Sequence, residues 1–521
     1  MIASGAIRLM VLPSLSVMRE IISPLDGIRS PFGPRRGGVV PPFTPALLFA
    51  SGEQGVWYDP SDISTLFQDS AGTTPVTAVE QPVGRMLDLS GRGNHATQAT
   101  SAARPTLSAR VNLLTKTEQF DDAAWTKSAL NVTANTNVAP DGTTTADTVA
   151  SNGVSSTPAI TQVATISSII NYIARLYVLK TSGATRFPSS SLYFAGGGTA
   201  REWGCVLNTN TGVAYPASGW ADGAPTTTVT SVGDYWLLSM QQASLTGNTT
   251  AQTFFSPGVN TTGNSGTRSP TTTGSNVIWG ADIRVANDTA LPVYQRVNTA
   301  TDYNATGFPY YLRFDGVDDS MATASIDFTA TDAMSVFSGL RKLSDATINT
   351  VLELSALSGD PSTPGSFQLY TIGNASTWFG YGYNSYGTSV SGAQVFSGYP
   401  SPLTSVLSGL SDISGDTAVL RYNGVQIAQS TANQGTGNYG TYPLYIGSRG
   451  GTTNRFNGRI YSLIVRGAAT SETQIGQTEQ WISNEMGGGY YPTGFDFLVD
   501  ANGDQLTDAS GNPLYTIPLY S

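Results

Sequence analysis

Cysteine and histidine are nearly missing from this chain: Cys205 and His95 are the only ones in 521 residues. A single cysteine excludes an intrachain disulfide and any cysteine-rich zinc site. A single histidine excludes a multi-histidine metal centre and leaves His95 as the one base available to a Ser-His-Asp triad. It stands in the glycine-rich stretch Gly91-Arg92-Gly93-Asn94-His95, and no Gly-x-Ser-x-Gly elbow supplies a nucleophile. Charge is scarce too. Only 12% of residues are charged, about half the usual share. The net charge is −10, and basic residues do not gather beyond pairs such as Arg35-Arg36. Nucleic acid as a partner is therefore not expected, since phosphate binding needs a basic face. Long apolar runs are lacking as well. The stretch from Ala6 to Ile22 is interrupted by Arg8, Pro13 and Arg19. It is too short and broken to span a bilayer and has no basic leader, so neither membrane insertion nor an export signal is expected.

What fills the space is glycine, at 57 positions, with long Ser/Thr/Asn stretches, while 40% of residues are hydrophobic and 10% aromatic. That is too apolar for a disordered chain. Short apolar runs between turn residues predict an all-β protein, and the length predicts two or three domains. Residues 1–50 have a different texture, with prolines at 31, 34, 41, 42 and 45 that rule out a regular helix or inner strand. We read them as an extended attachment arm with Pro31, Phe32, Pro34 and Phe43 among its anchors, the alternative being a loose terminal tail.

The rest divides by motif. Val56-Trp57-Tyr58-Asp59-Pro60 and Met86-Leu87-Asp88-Leu89 read as short strands, the second followed by Ser90-Gly91-Arg92-Gly93-Asn94-His95-Ala96 and then Arg104-Pro105-Thr106. A strand ending in Phe314-Asp315-Gly316-Val317-Asp318-Asp319 comes some two hundred residues later. Then follow the hairpin Ala418 to Ile427 around Asn423-Gly424, the strand Leu444-Tyr445-Ile446-Gly447, and Phe456-Asn457-Gly458-Arg459-Ile460. A helix over 471–485 is predicted with Ser471 as its N-cap.

This order of motifs resembles the concanavalin A/laminin-G-like jelly rolls of phage and prophage proteins. Residues 111–295 open with Asn112-Leu113-Leu114 and carry Phe120 and Trp125. They resemble a carbohydrate-binding-module-like β-sandwich common in phage proteins, with strands predicted at 171–179, 191–194, 202–207, 234–240 and 276–286. The expected architecture is all-β: an arm at 1–50, a split jelly roll formed by 51–110 and 296–487, an inserted sandwich at 111–295, and a small hairpin tail at 488–521. The segment Leu25 to Gly33 also resembles N-terminal stretches of phage tail-associated proteins.

These resemblances imply a non-enzymatic virion protein of a tailed bacteriophage, a fibre, collar or spike subunit made in the bacterial cytoplasm and released by lysis. The partners expected are other virion proteins, host surface polysaccharide and further copies of the chain, a trimer in preference to a dimer. Sugar contact is assigned to Trp378, Tyr381, Tyr383 and Tyr386, set among glycines, against the alternative that alternate rings are buried. Asp315, Asp318 and Asp319 crowd one turn and could offer oxygens to calcium. An Asx-type turn is favoured, and no cofactor is expected. The competing function is a polysaccharide depolymerase on the same scaffold. It would need paired carboxylates, and Glu353 has no acidic neighbour at suitable spacing.

Overall fold

A computed structural model describes residues 43–490, except 154–156, 167–169, 183–186, 218–220, 259–272, 287–290, 304–305, 357–362 and 375. The anchors Pro31, Phe32 and Pro34 and nearly all of the expected tail at 488–521 lie outside the described residues. The chain is all-β, with one α-helix among the described residues.

Two sheets form the jelly roll. The first runs in the order 425–430, 417–422, 403–412, 333–342, 457–466, 311–315, 106–108, and Gly55–Tyr58 also pairs with Asn457–Arg466. The second runs from Leu66–Phe67 through 85–86, 96–97, 321–322, 444–446, 349–354 and 367–373 to 379–386 and 390–395. Early strands are thus woven among late ones, and the core between the sheets draws on Val56, Tyr58 and Leu107 beside Leu312, Leu369 and Leu463. Asn423 and Gly424 both take positive φ, 48° and 83°, the pair that a two-residue type I′ hairpin turn requires.

Side chains alternate across each strand, so one strand serves two layers. In Ala333–Lys342, Met334, Val336 and Leu340 enter the core, while Phe337 joins an outer layer with Leu48, Tyr461 and Ile464. Helix Glu472–Glu485 covers that layer with Ile475 and Ile482. It lies so close that a Cβ on Gly339 would come within 2.6 Å of Met486 Sδ. The helix begins on a capping box, in which Ser471 accepts from the Gln474 amide and Gln474 reaches back to Ser471. The 3₁₀ turn Pro45–Phe49 adds Leu48 and Phe49 to this layer, with Phe43 half-buried against it.

Residues 126–285 build a second sandwich from two six-stranded sheets. Its core includes Phe120, Trp125, Tyr172, Leu192, Phe194 and Ile283. The segment leaves the jelly roll after Thr106–Ser108 and returns at Tyr311–Asp315, and Ser108 lies directly opposite Tyr311 in antiparallel pairing. Two fully buried amides knit the departing and returning chains together. Gln295 Oε1 accepts from the Val111 and Asn112 amides at 2.7 and 3.0 Å, and Asn112 Nδ2 donates to the Ala281 and Gln295 carbonyls, each at 2.9 Å. Beside them Arg284 and Asp282 form a buried ion pair. Burial of such groups is tolerable only when they are hydrogen-bonded, and here Pro292 O accepts from Arg284 while the Gln295 amide donates to Asp282.

Candidate functional site

Strand Phe379–Tyr386 carries the aromatic cluster, and its period of two sorts the rings. Tyr381 and Tyr383 face the core and are 0% exposed. Their hydroxyls meet Ser405 Oγ at 3.1 Å and Ser411 Oγ at 2.7 Å, and burial pushes both phenols well above their ordinary pKa. Tyr386 is buried as well. Gly380 and Gly382 leave room for what crosses the other face: a Cβ at Gly382 would lie 2.3 Å from the Tyr370 ring. The expectation of a four-ring sugar platform is therefore corrected. Three of the rings are buried, Tyr381 and Tyr383 in the core between the sheets, because glycine between tyrosines marks a strand covered closely on one side rather than an open loop.

Trp378, just before the strand, is 44% exposed. It meets a ring absent from the sequence reading, Phe396, 45% exposed, with centroids 5.4 Å apart and planes at 61°. Asn374 fixes the approach to Trp378: its Oδ1 accepts from the amides of Thr377 and Trp378 at 2.8 and 2.9 Å. Phe396 is fixed by pairing of its carbonyl with the Phe379 amide at 2.9 Å, and the Tyr399 amide then donates to Phe379 O. The outcome is an edge-to-face pair of open rings whose backbone is held by hydrogen bonds, able to meet the apolar face of a ligand. The signal for Phe396 was an aromatic at a strand end before Ser397-Gly398-Tyr399-Pro400.

Asp315, Asp318 and Asp319 come together as expected, with ligand atoms within 4.8 Å of one another. Asp315 Oδ1 accepts from the Val317 amide at 2.7 Å and the Asp318 amide at 3.3 Å, and Asp319 Oδ2 accepts from the Asp315 amide at 3.0 Å. The carboxylates thus serve the turn's own backbone. Burial, then the neighbouring Asp315 and Asp318, raises the Asp319 carboxyl to about 7.

His95 Nδ1 accepts from the Asp88 amide at 3.0 Å, and Asp88 in turn accepts from Trp57, Ser90 and Asn94 amides. Desolvation lowers the imidazole's pKa, so it acts as a neutral acceptor that shapes the loop. Glu353 is fully buried, taking the Ser355 hydroxyl at 2.6 Å with Arg449 at 3.9 Å. Both residues work within the scaffold.

No family model and no curated protein matches the chain. Among solved structures, the CBM40 domain of the Ruminococcus gnavus IT-sialidase bound to α2,3-sialyllactose is 18% identical over 27% of this chain and 80% of that one, with a TM-score of 0.23. Domain 4 of the arabinanase AbnA from Geobacillus stearothermophilus, in complex with arabinotriose, is 15% identical over 32% and 74%, with a TM-score of 0.26. The receptor-binding domain of a botulinum neurotoxin mosaic serotype C/D is 11% identical over 38% and 45%, also at 0.26. These neighbours are all-β sandwiches, and likenesses this distant carry no argument about a ligand.

Proposed function

We propose that the chain is a non-catalytic, glycan-binding subunit of a tailed-phage particle, a fibre, collar or spike protein joined to other virion proteins through the part of the arm before Phe43, since Phe43 to Phe49 pack on the jelly roll itself, and assembled as a homo-oligomer. The observation that carries glycan binding is the exposed Trp378–Phe396 pair beside strand Phe379–Tyr386. Neighbouring exposed apolar side chains, more than ones scattered singly, are where binding surfaces are sought. The phage setting rests on the order of sequence motifs. The non-catalytic reading is supported by the scaffold duties of His95 and Glu353. Titration of host surface polysaccharide into the purified chain tests the sugar reading. Binding that Trp378→Ala weakens about tenfold or more, the worth of one stacked ring at roughly 1.5 kcal/mol, is the expected result. Turnover of the polysaccharide would favour the depolymerase instead. Proteomics of purified particles tests the setting, and absence of the chain from them would overturn it.

A further inference from the structure

The outer face of the first jelly-roll sheet carries a feature that sequence spacing conceals. Arg313 lies opposite Arg459 in one strand pair, and Arg459 lies opposite Arg341 in the next. Three guanidinium side chains from three strands therefore stand in one row. Like charges directly opposite on a sheet face repel, and each of the three is held by neighbours. Glu80 partners Arg313 at the outer end at 3.3 Å. Further in, Arg459 sits over the Tyr311 ring at 4.5 Å, and Arg341, 2% exposed, donates to Thr404 Oγ1 at 2.7 Å.

Arg341 and Arg459 line a cavity of ≈ 230 Å³ between the jelly roll and the second sandwich, which contributes Tyr172 and Val285. Val285 and Pro402 also border an adjoining cavity of ≈ 430 Å³ whose walls include Asn171, Tyr399 and Tyr422. Among the described residues lining the two cavities none is acidic. Guanidinium forks match a carboxylate in shape and gain strength where water is excluded. Tyrosine rings suit the C–H face of a sugar, and the Asn171 amide suits its hydroxyls.

We propose that this cleft binds a carboxylate-bearing saccharide, with Arg459 and Arg341 receiving the acid group and Tyr399, Tyr422 and Asn171 the neighbouring ring. This deepens the glycan-binding reading and rests on it.

The test is titration calorimetry of the full chain with tetragalacturonate and with a neutral galactan tetrasaccharide. The acidic ligand should bind more tightly, and Arg459→Gln should remove about tenfold or more of that preference, the loss of one charge-assisted contact. Asn171→Trp acts from the opposite wall, leaves the arginine row intact, and should block the cleft equally. It decides the matter if Arg459→Gln does not fold. Tetragalacturonate binding unchanged in both variants, or equal affinity for the acidic and neutral ligands, would overturn the cleft proposal and leave sugar binding at Trp378 standing. Failure of the chain to bind either tetrasaccharide or host polysaccharide would instead overturn glycan binding itself.

Discussion

Tyr381 and Trp378 are three residues apart and have opposite fates, which makes them a useful pair. Removing a fully buried aromatic costs about 3–5 kcal/mol, so Tyr381→Ala should lower the melting temperature markedly. Trp378→Ala, at a half-open ring, should leave it nearly unchanged, and thermal denaturation of the two variants checks both. A second residue of consequence is Asp147, fully buried beneath the Phe120 and Asn135 amides, its carboxyl raised by burial to about 6. The folded pKa lies above the ordinary carboxyl value of 3.8, so its contribution is fully present below about pH 4 and is lost as pH rises through 6. At about 1.4 kcal/mol per pKa unit the loss is on the order of 3 kcal/mol at most. Asp147→Asn should flatten this part of the stability profile between pH 4 and 7, as denaturant unfolding at stepped pH would show. Sequence located the aromatic cluster but not its faces, because interleaved glycines looked like loop composition. The i, i+2 spacing of Tyr381 and Tyr383 was the readable sign of a shared face. The arginine row was not readable at all, since it depends on register between strands more than a hundred residues apart.

At the scale of elements, the helix and the Asn-Gly hairpin were the most legible, and for local reasons. A capping box and a two-residue turn are complete within a few positions. Strands such as Leu130–Asn137 and Thr226–Val232 escaped the sequence reading because their Thr/Asn/Ser composition matches the loops and their outer faces are exposed. What fixes the helix to the sheet is Glu479, which accepts from Ser408 Oγ and Arg421 Nε, each at 2.8 Å. Taking away one member of a buried charge pair costs about 3–5 kcal/mol. Glu479→Ala should therefore destabilise the chain strongly, and Glu479→Gln, which keeps an acceptor for Ser408, should do so less. Urea denaturation of both variants measures the difference.

For the whole molecule, the missing neighbour between Arg104-Pro105-Thr106 and Tyr311 was the sequence clue to an interrupted jelly roll. The structure sets Ser108 directly across from Tyr311. Residues 109–310 thus stand where a tight hairpin turn would suffice. Replacing them with Asn-Gly should give a soluble jelly roll that unfolds cooperatively. A fragment beginning at residue 296 should not fold, because it lacks Gly55–Tyr58, the strand paired with Leu463–Arg466. Circular dichroism and a melting curve of each would decide, and a stable 296–487 fragment would defeat the interrupted-domain proposal.

The facing of Ser108 and Tyr311 also has a mechanical meaning. A pull drawn along the chain crosses from one of these strands to the other through their shared hydrogen bonds, without passing through the residues between them. The inserted sandwich hangs as a side branch from the line of tension. Its folding and its contacts should therefore stay at rest while the jelly roll bears the load.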